Sequence, residues 1–117
     1  MSLQRLRTEA RYSEIVIHNG TVYLAGQLDE GLNPGIERQT RETLDAVDRM
    51  LAEAGTDKSR ILSVTIYLKD IDADYAGMNA VWDAWVAKGA SPARACVEAK
   101  MYSPEVLVEM TVVAALP

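Results

Sequence analysis

Cysteine is almost missing from this chain of 117 residues: Cys96 is the only one. No disulfide can form within it, and a reducing compartment is expected. Histidine is as scarce, with His18 alone. One histidine and one cysteine rule out a zinc site built from four such ligands and any relay of several histidines. Nothing approaches the roughly 18 apolar residues that a membrane-spanning helix needs. The start, Met1-Ser2-Leu3-Gln4-Arg5-Leu6-Arg7, has basic residues with no apolar run behind them, unlike a secretory signal. A cytoplasmic protein without a membrane partner is the expectation. Positive charge is short too: 12 Lys and Arg against 17 Asp and Glu leave a net charge of −5. Binding along a phosphate backbone requires the opposite balance, which argues against nucleic acid as a general partner. There is no Gly-x-x-x-x-Gly-Lys-Ser/Thr run, and the glycines between 26 and 35 lack dinucleotide spacing, so no metal or organic cofactor is expected.

What the chain does contain is globular. With 49% hydrophobic and 25% charged residues, it matches an average single domain, taken as 1–117, whose folding would bury about two-thirds of its surface. Glu14 to His18 and Thr21 to Ala25 are β-rich runs around Asn19-Gly20, the pair that accepts the positive φ of a type I′ hairpin turn. Ile36, Thr40, Leu44, Val47, Leu51 and Ala54 recur at helical spacing, and Gly55 is a C-terminal stop. Tyr75, Met78, Trp82, Trp85 and Val86 form a second stripe, capped at Asp72 or Asp74 and ended by Gly89. Arg60–Lys69 alternates as a strand, as do Ala93–Lys100 and Leu107–Leu116. The order predicts an α+β sheet with two helices on one face. Alternation assigns Leu62, Val64, Ile66, Leu68, Ala95, Val97, Ala99, Val108, Met110, Val112 and Ala114 to that face. The other face, holding Arg94, Cys96, Glu98 and Glu109 by parity, is mixed in polarity, and a second subunit is expected to cover it.

Candidate chemistry narrows quickly. Cys96 and His18 read as a small thiol on a strand and a polar residue beside a turn rather than as a nucleophile–base pair, because no third group orients them. Tyr75, Trp82 and Trp85 read as core at helical spacing. Asp45, Asp48 and Glu53 read as a solvated helix face. Arg94 differs, because a guanidinium on a half-buried sheet face cannot shed its charge and needs an anion. That anion is either Glu98 or Glu109 in a structural ion pair, or the carboxylate of a ligand gripped by two parallel hydrogen bonds. Glu109 stands inside a long apolar strand, where an acid must be paired or used.

Pro92-Ala93-Arg94-Ala95-Cys96-Val97-Glu98, followed by Val108-Glu109-Met110, closely resembles the signature of the RidA/YjgF family of reactive-intermediate deaminases. The likeness runs from about Tyr12 to Ala114 and takes in Ala25-Gly26-Gln27, Gln39-Thr40 with Leu44, and Met78-Asn79-Ala80. The resemblance implies a chorismate-mutase-like α+β subunit, a homotrimer and clefts between subunits. It implies hydrolysis of 2-imino or 2-enamino acids to 2-keto acids and ammonia. Arg94 would hold the substrate carboxylate, helped by backbone N–H at Cys96, and Glu109 would orient or activate water. Tyr12 would line the cleft with Ala25 and Gly26, and Asn79 would lie near it. Ala25 stands where the family commonly has serine, and Ala10-Arg11 where Gly-Pro often precedes the tyrosine. With Trp82-Asp83-Ala84-Trp85, these departures mark a branch distinct from the best-studied deaminases. The alternative function is a non-catalytic module that binds a small carboxylate such as a 2-keto acid. The family's older endoribonuclease label conflicts with the acidic balance and the lone histidine.

Overall fold

The computed structural model describes residues 2–117. Its strands, in chain order, are β1 (Leu3–Thr8), β2 (Ser13–His18) and β3 (Thr21–Leu24), then β4 (Ile61–Leu68), β5 (Ala93–Glu98) and β6 (Val108–Ala115). Helix α1 (Ile36–Ala54) lies between β3 and β4, and α2 (Ile71–Trp85) between β4 and β5. They form one sheet in the order β1-β2-β3-β6-β4-β5. Only β4 and β5 run parallel, joined by α2 as the crossover. Asn19 and Gly20 adopt φ of 53° and 75°, the left-handed pair that the hairpin turn requires. Helix α1 ends at Gly55, whose N–H returns to Ala52 O with φ 91°. Helix α2 starts two to four residues earlier than its acidic run suggested: Asp70, not Asp72 or Asp74, accepts the Ala73 N–H at 3.1 Å. It ends at Trp85 rather than at Gly89.

The core lies between the sheet and the two helices. Ile15, Val22, Val64, Ile66, Leu68, Met110 and Val112 from the strands meet Leu44, Val47, Leu51, Met78 and Trp82. Close approach of the helices depends on Gly77, where a Cβ would come within 2.7 Å of Ile36 Cγ2. Gln39 is buried in this layer and fully used: Nε2 donates to Asn33 O and Glu105 O, both at 2.8 Å, and Oε1 accepts from Leu107 N at 2.9 Å. It ties the loop before α1 to the loop before β6. Among the described residues, no helix is long and apolar enough to cross a membrane.

The face assignments need correction at Leu62 and along all of β5, Glu98 included. Leu62 is outward and 51% exposed, because a bulge between Ile61 and Ser63 turns Ile61 inward in its place. On β5, Val64 pairs with Arg94 and Ile66 with Cys96, so Arg94 and Cys96 lie on the helix-covered face. Ala95 and Val97 take the open one. Small residues on both sides of this edge strand gave alternation no contrast to read. The open face carries Val16, Tyr23 and Val113 across three neighbouring strands, with Thr65 beside Thr111 and Tyr67 beside Glu109. Tyr23, at the centre of this strip, is 47% exposed. The first strand, β1, was not expected; it pairs antiparallel along β2 from Leu3↔His18 to Thr8↔Ser13.

Candidate active site

Arg94 reaches off the edge strand β5 onto helix α2. Its Nη1 donates to Asn79 Oδ1 at 2.8 Å, and its Nη2 to Tyr75 Oη at 3.4 Å. Its Cζ lies 5.2 Å from the centroid of the Trp82 ring. Neither acid proposed as its structural partner takes that role. Glu98 accepts the Ile71 N–H at the start of α2 instead. The ion pair found among the described residues is Arg7–Glu53, so no carboxylate among them cancels the Arg94 charge. Cys96 follows on the same face, packed against the core. Burial pushes its thiol pKa up, opposed by the positive Arg94, which favours the thiol over the nucleophilic thiolate. Ala99 donates its N–H to Leu68 O, and regular alternation then turns the Cys96 N–H to the unpaired edge of the sheet. His18 stands four strands away, about 19 Å at the usual strand spacing, so no Cys–His pair exists.

The second group of residues gathers where the sheet is irregular. β3 pairs with β6 as far as Tyr23↔Val113, and pairing resumes only at the bridge Gln27↔Met110. Three residues, Leu24 to Gly26, thus face two, Thr111 and Val112. This one-residue surplus bends the chain away and opens a cleft of about 990 Å³. Tyr12, Ala25, Gly26 and Glu109 all line it, with Arg49 and Tyr102 among the other walls. Its floor is fixed by buried Gln27, whose Nε2 donates to Glu14 Oε1 and Ala25 O, each at 3.1 Å. Asp29 is fixed likewise, accepting from the N–H groups of Gly31 and Asn33 and from Asn33 Nδ2.

The electrostatics of this cleft follow from its acids. Desolvation raises the Glu109 pKa above the ordinary glutamate range. Tyr12 is 51% exposed, and the negative Glu14 raises its pKa further, which keeps the phenol protonated and able to donate. The Glu109 carboxylate occupies the space where a Gly26 side chain would stand: a Cβ there would lie 3.0 Å from its Cδ and overlap Oε2. Gly26→Ala is therefore expected to displace the Glu109 head while barely changing stability, because the obstructing atoms end a flexible side chain. Loss of catalysis with a melting temperature within about 2 °C of the parent would confirm this; unchanged catalysis would show that the Glu109 position is not critical.

The structure thus brings Tyr12, Ala25, Gly26 and Glu109 together, and separately Arg94, Asn79 and Cys96. It does not join the two groups: Arg94 lies on the helix face and Glu109 on the open face, a correction to the shared face that parity assigned. Tyr75 and Trp82 escaped the sequence reading as site residues because their helical spacing is also that of a core. Gln27 escaped as a floor residue, although Ala25-Gly26-Gln27 was part of the family likeness. Two of the acids read as solvated are engaged, since Asp48 accepts from Trp85 Nε1 at 2.9 Å and Glu53 pairs with Arg7. Among the described residues, no group of three or more His, Cys, Asp or Glu is placed to hold a metal ion.

Residues 2–116 match the model of a family described as endoribonuclease L-PSP. The RutC family protein YoaB of Escherichia coli K12 is 43% identical over 116 residues, covering 99% of this chain and all of that one. A member of the YjgF protein family from Neisseria meningitidis, NMB1025, has a crystal structure that superposes with a TM-score of 0.95 at 47% identity, covering all of this chain and 97% of that one. The crystal structure of YyfA from Yersinia pestis, of the Rid protein family, gives a TM-score of 0.83 at 31% identity, covering 93% and 90%.

Proposed function

This chain belongs to the endoribonuclease L-PSP family, the family of the RutC and YjgF proteins, and on that premise we propose that it hydrolyses reactive 2-imino acids to 2-keto acids and ammonia. The observation that carries the reading is Arg94, a half-buried guanidinium held by neutral groups with its charge uncancelled. Such a group is poised for a bidentate carboxylate. Substrates are small 2-imino or 2-enamino acids, the second becoming the first by gaining a proton on carbon.

In the proposed step the carboxylate of the protonated imine lies on Arg94, with the Cys96 N–H as a further donor. Glu109, ionised, takes a proton from water as its oxygen bonds to the C=N carbon. Glu109 returns that proton to the amine nitrogen, which leaves as ammonia, and takes up the hydroxyl proton as the C–O bond becomes the ketone C=O. Tyr12 donates a hydrogen bond to the developing tetrahedral centre. An iminium is already electrophilic, so positioning and one acid–base group suffice without a cofactor.

Because the two groups of site residues lie on opposite faces of one sheet, the working cleft in this proposal forms between copies. Arg94, Asn79 and Cys96 of one copy meet Tyr12, Ala25, Gly26 and Glu109 of the next, and the uncovered Val16–Tyr23–Val113 face is buried in a homotrimer. The test uses imines made by an amino-acid oxidase and follows their decay. Arg94→Ala and Glu109→Gln are each expected to be inactive, and randomly mixed oligomers of the two to regain about a quarter of the sites, since one in four neighbouring pairs then carries both intact groups. Verified mixed oligomers with no recovery would overturn the shared cleft, and no acceleration of any imine by the parent protein would overturn the deaminase. One observation favours the binding module as second reading: Ala25 brings no hydroxyl to the cleft wall.

A further inference from the structure

Tyr75, Asn79 and Trp82 follow one another at spacings of four and three on α2, which places them on one helix face. Their three side chains meet the Arg94 guanidinium from different directions. Asn79 Oδ1 takes one Nη1 hydrogen, Tyr75 Oη one Nη2 hydrogen, and the Trp82 ring lies 5.2 Å from Cζ. The tryptophan cannot drift. It is buried in the core, and its ring centroid lies 5.4 Å from that of Trp85 at a tilt of 48°. Trp85 is itself held, with Nε1 donating to Asp48 and its backbone O accepting from Lys58 Nζ at 2.6 Å.

All three contacts are neutral. A half-buried guanidinium is ordinarily compensated by a carboxylate, and one is available on the same strand, yet Glu98 is engaged at the start of α2. Dipoles and a π face can orient a cation and offset part of its desolvation without cancelling its charge. Two of five N–H groups are used, so three remain for a ligand. An incoming carboxylate has no internal anion to displace.

We infer that Tyr75, Asn79 and Trp82 form a neutral cradle that fixes Arg94 while leaving its full charge for the ligand, with Tyr75 and Trp82 as positioning residues of the carboxylate site. The inference rests on the reading of Arg94 as the carboxylate grip. Trp82 sets the plane of the fork through its ring face, and Asn79 contributes by being an amide rather than an acid.

Calorimetric titration of the assembled protein with pyruvate tests this without requiring turnover. Asn79→Asp, nearly the same size, supplies the missing anion, and pyruvate is expected to bind about 10-fold or more weakly, with thermal stability equal or higher. Trp82→Leu should weaken binding about 5- to 10-fold, whereas Trp82→Phe, which keeps a ring face, should stay within about 2-fold. Tyr75→Phe should lose about 2-fold, as its bond is long. Asn79→Asp binding pyruvate as tightly as the parent would overturn the inference, as would equal weakening by leucine and phenylalanine at 82, which would mark a packing role alone. Should Trp82→Leu fail to fold, the Asn79→Asp result decides. Pyruvate binding without imine hydrolysis would sink the deaminase and leave the cradle standing. Hydrolysis with pyruvate affinity unmoved by these variants would do the reverse, and no pyruvate binding by the parent would overturn the cradle.

Discussion

Arg94→Ala is expected to lower kcat/KM for imine hydrolysis by about 100-fold or more, the loss that follows when a charge-assisted, two-pronged grip on a carboxylate is removed. The fold should survive. Arg94 sits on an edge strand and makes no ion pair among the described residues. Its departure leaves only Asn79 and Tyr75 to be hydrated, and Tyr75 is already 43% exposed. Arg94→Lys should recover little, because a point charge on a flexible stem offers neither the planar fork nor stacking on Trp82. Steady-state kinetics beside a thermal melt separate the two effects. Near-parent activity in a folded alanine variant would remove Arg94 from the mechanism.

Glu109→Gln should lose activity by a similar factor while the protein melts at the same or a higher temperature at pH 7. The sign follows from its raised pKa, caused by desolvation. Between the ordinary glutamate pKa and the raised one, the folded chain holds more protons than the unfolded chain, so stability falls as pH rises through that window. Once the pH exceeds the raised pKa, the folded protein carries the whole cost of a desolvated carboxylate. Glutamine is free of it, and the advantage should vanish at a pH below both values. The rate profile moves the other way: hydrolysis needs the ionised form and should decline on acidification through a pKa above the usual glutamate range. A glutamine variant that melts lower at pH 7 would contradict this account of Glu109.

The parts of the fold legible in the sequence were those with strong local grammar. Asn19-Gly20 marked its hairpin, and the apolar spacing from Ile36 to Ala54 ended at a left-handed glycine. β6 alternates cleanly because the core lies on one side of it. β1 could not be seen: Leu3-Gln4-Arg5-Leu6-Arg7-Thr8 has little apolar contrast and is held by its ladder to β2. β5 was seen as a strand but assigned the wrong way round, since Ala93 and Ala95 look as buried as Cys96 does. The membership of the candidate site was legible through the signature residues. Its division was not, because the side of the sheet that Arg94 occupies is decided by its pairing with Val64, a long-range register that no local pattern encodes.

The surplus residue between Tyr23 and Gln27 also governs how a protein of this kind can change. A substitution at Ala25 or Gly26 alters one wall of the cleft and leaves the ladder's count as it is. Deletion of any one of Leu24, Ala25 and Gly26 would bring the two strands into step, close the gap beside Glu109 and yield a more regular sheet. Improvement of the fold and loss of the cleft are the same event at this point. Length in this segment is therefore what keeps the cleft open, against the pull of strand pairing.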